Sequence, residues 1–166
     1  MATSSGTATV TLPTDEQILI TREFDAPRHL VFKAWTTPEL VKRWWNAKRG
    51  EVTIAEIDLR VGGRWRYLMV TEDGTEVGFH GEYREIVPNE RIVSTEVFEG
   101  IPPGEGPEEG TLNTATFTEV DGRTALTVLV EAPSKEIRDA IIDSGMESGM
   151  QDAMDLLEAV ARSGSG

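Results

Sequence analysis

From Glu51 onward, apolar and polar residues alternate with a period of two for about eighty residues, interrupted only by short turn sequences. No other feature constrains the fold as tightly. Side chains two apart share one face of a pleated strand, whereas a helix needs its apolar residues three and four apart. Strands are expected at Glu51 to Arg60, Arg64 to Thr71, Glu76 to Val87, Arg91 to Glu99, Thr111 to Val120 and Thr124 to Ala132. The separators Val61-Gly62-Gly63, Glu72-Asp73-Gly74, Val87-Pro88-Asn89-Glu90 and Val120-Asp121-Gly122 are turn sequences, and turns this short join antiparallel neighbours. The segment GIPPGEGPEEG, Gly100 to Gly110, is too rich in Gly and Pro for either regular element and is expected as a loop at the sheet rim.

Before this meander the period changes. Gln17 to Phe24 alternates Ile18, Ile20, Arg22 and Phe24 against Leu19, Thr21 and Glu23, which suits a first strand. Asp25 and Pro27 then open a helix, with Asp as the N-cap and proline in the first turn, where its missing donor costs nothing. Val31, Phe32 and Trp35 recur at helical spacing, and Thr37-Pro38 restarts a second helix carrying Leu40, Val41, Trp44 and Trp45. Burying one indole removes roughly 150–250 Å² from water, worth about 4–6 kcal/mol at most. Three within this short stretch commit it to packing. The helix-turn-helix outline lacks the basic recognition surface of a DNA reader. At the other end Ser134 can cap a helical region in which Ile137, Ile141, Met146, Met150, Met154, Leu157 and Val160 return at three- or four-residue steps, with Gly145 and Gly149 as points where it could break or kink.

The 166 residues suit one domain, and 39% apolar with 27% charged residues is ordinary globular composition. No run reaches the eighteen or so apolar residues of a membrane helix, and the amino terminus MATSSGTATVTLPTDEQ lacks the basic and apolar segments of a secretory signal. The reading is a cytoplasmic protein with a flexible polar tail over 1–16, a single domain over 17–162 and a flexible end over 163–166. A net charge of −13 opposes binding to nucleic acid or to anionic membranes. That acidity serves solubility or, alternatively, a cationic substrate, but the sequence localises it to no pocket. Cysteine is absent, so disulfides, thiolate metal sites and a cysteine nucleophile are excluded.

The order is strand, two short helices, six antiparallel strands and a long amphipathic helix. Within it stand Arg22, Phe24, Ala26 and Pro27 in REFDAP, Trp35 in KAWTTPE, Trp44-Trp45, and Asp58 with Gly62-Gly63 in DLRVGGRW. Asp73-Gly74, Gly81, Glu85-Ile86 in GEYREI, Pro88 and Glu90-Arg91 in VPNERI, Gly145-Met146 and Gly149 continue the series. Together these resemble the helix-grip fold of the START-like or SRPBCC superfamily and, more narrowly, the family of homologues of the activator of the 90-kDa heat-shock protein ATPase, over roughly Ile18 to Val160. The resemblance implies an α+β fold in β-α-α-β6-α order, with a curved antiparallel sheet of about seven strands wrapped around a long C-terminal helix. It also implies a cavity between sheet and helix, with the two short helices closing one side. Period-two phasing then aims Trp65, Tyr67 and Met69 on one strand, and Phe79, Gly81 and Tyr83 on the next, toward that interior. Met146, Met150 and Met154 form a stripe that would roof it, either as plain core or as adaptable ligand contacts. The candidate ligand-binding residues are therefore Trp35, Trp65, Tyr67, Met69, Phe79, Tyr83, Met146 and Met150.

The chain departs from its relatives in two ways. Many carry Gly-Trp in the last helix where this one has Gly149-Met150, which removes a flat stacking partner. The eukaryotic activators also attach a separate amino-terminal domain, for which the stretch before the first strand is too short, so the family name does not transfer as a function.

Catalytic signatures are lacking. His29 and His80 fall on a helix and a strand without partners at ligand spacing, and neither a metal nor a cofactor is expected. Gly62-Gly63 joins strand to strand, without the helix terminus that binds phosphate, and reads as a tight turn. Arg22, in phase with Ile18, Ile20 and Phe24, is aimed inward and needs a carboxylate, from a neighbour such as a strand glutamate or from a ligand. Asp58 and Arg60 read as a turn-stabilising pair. Tyr67 and Tyr83 could orient the polar group of an otherwise apolar ligand. Three readings stay open: a binding module for a small, largely apolar or amphipathic molecule; a pocket enzyme of cyclase or hydrolase type, which would need an interior ionisable residue of shifted pKa; and a protein-interaction module, as a chaperone partner or a homodimer joined through a sheet edge or face.

Overall fold

One antiparallel sheet of eight strands dominates the computed structural model, which describes residues 8–47, 49–99, 110–143 and 146–163. In chain order the elements are β1 (Thr9–Thr11), β2 (Gln17–Phe24), α1 (Arg28–Thr36), α2 (Pro38–Trp44), β3 (Gly50–Ile57), β4 (Arg64–Thr71), β5 (Glu76–Val87), β6 (Arg91–Phe98), β7 (Thr111–Val120), β8 (Arg123–Glu131), α3 (Lys135–Asp143) and α4 (Met146–Ser163). Their spatial order is β1-β2-β8-β7-β6-β5-β4-β3. The meander thus runs in sequence from β3 to β8, and β2 closes onto β8 from the other end of the chain. This is the expected α+β helix-grip architecture, with an open curved sheet and a C-terminal helix.

Register follows from hairpin chemistry. Asp121 and Gly122 both take positive φ, 55° and 79°, as a two-residue primed turn requires, and Val120 pairs with Arg123 across it. Irregularities between Val52 and Ile54 in β3, and between Tyr83 and Glu85 in β5, interrupt the ladder, the device by which a sheet bends locally. Ile18, Ile20, Arg22 and Phe24 of β2 are buried opposite Val130, Val128, Leu126 and Thr124 of β8, so one face of this pair is wholly interior. Helix α4 packs along α1 and α2 and sends Met154, Leu157, Val160 and Ala161 inward. Phe24, Phe117, Leu126 and Leu157 are fully buried there, each worth about 1.5–3 kcal/mol relative to exposure.

Two expectations need correction, the strand count and the cap of α1. The sheet has eight strands among the described residues, because Thr9–Thr11 of the expected tail pairs with Leu19 to Thr21. The Gln151 amide holds the neighbouring backbone of Ala8, accepting from its N–H at 3.0 Å and donating to its carbonyl at 2.8 Å. The final helical region comprises α3 and the long α4, a division its glycines allowed, and Ser134 caps the first, its Oγ accepting from the Ile137 N–H at 3.2 Å. Asp25 is not the cap of α1. Pro27 occupies that position without a side-chain bond, and a carboxylate from β7 substitutes, Glu119 accepting from the Arg28 N–H at 3.0 Å. The segment expected as a rim loop lies outside the described residues except for Gly110, as do residues 1–7 and 164–166.

Candidate functional site

The aromatic residues divide into two groups. Trp35 stacks on Trp44 at 5.3 Å between centroids and meets Phe117 edge-on at 5.8 Å, while Phe32 meets Phe117 at 5.5 Å. The Trp44 indole N–H donates to the Ala34 carbonyl at 2.9 Å, so this group is satisfied within itself. Trp35 is therefore helix-packing wall, apart from the other candidates. The second group lies on the concave faces of β4, β5 and β6. Trp45 packs on Tyr67 at 5.4 Å and on Phe79 at 5.6 Å, Phe79 on Phe98 at 5.2 Å, and Trp65 on Tyr67 at 4.8 Å. Such pairs add about 0.5–1.5 kcal/mol beyond their burial. Gly81 makes the arrangement possible: a Cβ there would stand 1.8 Å from the Thr95 carbonyl and 2.6 Å from the Trp65 indole nitrogen, which reaches across β5 to donate to that carbonyl at 3.2 Å.

The structure thus brings Trp65, Tyr67 and Phe79 together as phasing predicts. Tyr83 is buried on the same face, whereas Met69 is buried between its register partners Val52 and Val77, outside the contiguous core. Met146 and Met150 are half-buried against that core from α4, and Met154 belongs to it. At the departure from the relatives, Gly149 faces Arg49, whose guanidinium clamps the start of β3 to α4 through Asp152 at 3.0 Å and Ser148 at 3.1 Å.

Two phenols and a carboxyl give this face its chemistry. Burial pushes the Tyr67 phenol well above its usual pKa, with Tyr83 and Glu96 adding to the effect. Burial likewise raises Tyr83, assisted by Asp58. Neither phenol has a hydrogen-bond partner among the described residues. Glu96 is the functional candidate that the sequence reading missed. In β6 it is in phase with buried Ile92 and with Phe98, and it lies opposite Thr111 of β7. The Asn113 amide donates to Glu96 Oε1 at 3.0 Å and accepts from the Thr111 hydroxyl at 2.8 Å. Burial raises the Glu96 pKa and the Asn113 bond opposes it. Glu96 nevertheless keeps accessible surface. Its period-two phase with Ile92 was the available signal.

Other charged groups are answered by the protein. The buried Arg22 guanidinium binds Asp155 at 2.7 Å and Glu158 at 3.3 Å, both from α4 and not from a strand glutamate as expected, and lies 5.0 Å from the Phe24 ring centre. Arg60 binds Asp58 at 2.8 Å in the β3–β4 turn, as read from the sequence. His80 meets Glu99 at 2.9 Å, and Arg66 grips the same carboxylate with two nitrogens, each at 2.9 Å. No group of three or more possible metal ligands occurs among the described residues. An indentation of about 140 Å³ beside Arg28, Glu90, Arg91 and Phe117 includes none of the sequence candidates. It is below the roughly 300–1,000 Å³ of ordinary ligand sites.

A family model for Activator of Hsp90 ATPase homolog 1-like protein matches residues 25–162. The chain belongs to that family. Solved structures similar to this chain include protein Ms6760 from Mycobacterium smegmatis, 26% identical, with a TM-score of 0.82 over 92% of this chain and 96% of the other. A protein from Rhodobacter sphaeroides is 23% identical, with a TM-score of 0.84 over 94% and 98%. One from Arthrobacter aurescens is 24% identical, with a TM-score of 0.83 over 95% and 93%. Likeness at 23–24% speaks to the fold alone. No curated protein matches. The family match spans Glu96, Asn113 and α4 but leaves out β2, and with it Arg22.

Proposed function

We propose that this protein binds a small, largely apolar molecule carrying a polar group, in a cavity between the concave face of the sheet and α4. The observation that carries this reading is the pair of buried phenols, Tyr67 and Tyr83, without hydrogen-bond partners among the described residues. Their hydroxyl oxygens keep accessible surface beside the aromatic wall, so both can meet a polar group of a ligand without displacing a protein partner. The contacts nominated are Trp65, Tyr67, Phe79 and Tyr83 from the sheet and Met146 and Met150 from the helix, with Trp45, Phe98 and Glu96 added. Trp35 supports the wall from behind, and Met69 is peripheral.

A pocket enzyme is the second reading, favoured by one observation: Glu96 is an interior ionisable group of raised pKa. Binding stands ahead because, among the described residues, the side-chain hydrogen bond to Glu96 comes from the neutral Asn113 amide and not from a nucleophile or a second acid–base group.

Native mass spectrometry and thermal shift against a panel of small apolar alcohols, ketones and amines test the proposal. Binding should raise the melting temperature, and Tyr67→Phe should weaken a polar-tipped binder several-fold with little change in stability. A bare mass throughout, with no shift from any compound, would overturn it.

A further inference from the structure

Interior carboxyls are normally answered by a cation, as Glu99 is by Arg66 and His80, but Glu96 is not. Its protein hydrogen bond among the described residues is to the neutral Asn113 amide, on Oε1, and neither a lysine nor an arginine reaches it. The Thr111 hydroxyl donates to Asn113, and Asn113 donates to Glu96, so both donor dipoles run toward the carboxyl and offset part of the burial that raises its pKa. Oε2 is left for a further donor. On the same concave face stand the rings of Tyr67, Phe79, Phe98 and Trp45, whose faces attract cations. A carboxyl on the same face as these rings, close enough to Tyr67 to shift its phenol and with no cation of its own, is the chemistry that recognises a protonated amine. The net charge of −13 draws cations toward the molecule, and Glu96 gives that charge an interior destination.

We infer that the ligand is an amphipathic amine, its ammonium bound to Glu96 Oε2 and its apolar body lying against Trp45, Phe79 and Phe98. This rests on the binding reading above and adds the chemical class of the ligand. Tyr67 or Tyr83 takes a second polar atom of the ligand where it has one.

Isothermal titration with two probes of matched shape separates this inference from the reading beneath it: 2-naphthylmethylamine, cationic at neutral pH, and the neutral 2-naphthalenemethanol. The wild-type chain should bind the amine at least tenfold more tightly than the alcohol. Glu96→Gln should abolish that preference while leaving the alcohol's affinity within twofold, and Tyr67→Phe should leave the preference intact. Circular dichroism of both variants checks that they fold. Equal affinity for the two probes, or a preference for the amine that survives Glu96→Gln, overturns the inference and leaves cavity binding standing. Failure of both probes to bind the wild-type chain, in a protein that also binds nothing in the apolar panel, overturns both.

Discussion

Arg22 and Glu96 are both charged side chains carried to the inner face of the sheet from the middle of a strand, and the protein treats them differently. Arg22 meets two carboxylates from α4 and joins the sheet to the helix. Glu96 meets only a neutral amide among the described residues and keeps an oxygen free on an aromatic face. The first arrangement is complete and therefore structural. The second leaves one carboxyl oxygen without a protein donor among the described residues, which is the opening the proposed amine would fill.

The comparison can be broken by experiment. Neutralising the two carboxylates that face Arg22, Asp155→Asn with Glu158→Gln, strips the buried guanidinium of these ion pairs and should cost about 3–5 kcal/mol in urea unfolding. Arg22→Met should cost less, about 1–2 kcal/mol, because the stranded carboxylates lie near enough to the surface to rehydrate: the side chains of Asp155 and Glu158 are 45% and 16% exposed. If the two variants were equally damaging, the asymmetry of that ion pair would be wrong.

Glu96→Gln should move stability the other way, by on the order of 1 kcal/mol, and in a pH-dependent manner. Because burial raises its folded pKa, the native state binds more protons than the unfolded chain. Wild-type stability should therefore fall as pH rises from the unfolded value near 4.5 through the folded one, a slope that the glutamine variant lacks. Tyr67, raised further still, and neutral Asn113 do not titrate in that window. Chemical denaturation of both proteins from pH 4 to pH 8 reads the difference directly, and identical profiles would remove Glu96 from the interior.

The smallest effect belongs to Glu99, held on the sheet by Arg66 and His80. Its pKa is lowered, chiefly by the Arg66 hydrogen bond, so its contribution is present above the unfolded pKa and lost as pH falls through the folded value. With Arg66 and His80 substantially solvated, Glu99→Gln should cost only about 0.5 kcal/mol near neutral pH, less in high salt.

Much of the fold was legible in the residues. Strand period, turn chemistry at Asp121-Gly122 and the restart at Thr37-Pro38 are local signals, each set by backbone sterics within a few residues. Phase put Trp65, Tyr67, Phe79 and Tyr83 on the inner face but did not say which polar groups there would be answered. Glu96 carried the same signal as Phe98, and a strand pattern scanned for apolar residues passes over a carboxylate among them. Trp35 and Met69, nominated by inventory, pack with Trp44 and Phe117 and between Val52 and Val77 respectively.

The sequence by itself determined the order of elements, the hairpins and the inward phase of each strand, because these depend on interactions between residues close along the chain. Tertiary structure alone decided which charges are answered. Arg22 and its carboxylates are 133 and 136 positions apart, Glu99 faces Arg66 at a separation of 33, and Glu96 finds Asn113 at 17. Whether a buried group is satisfied or left open depends on what the folded sheet and helix bring to within 3 Å of it, a distance that sequence separation does not encode.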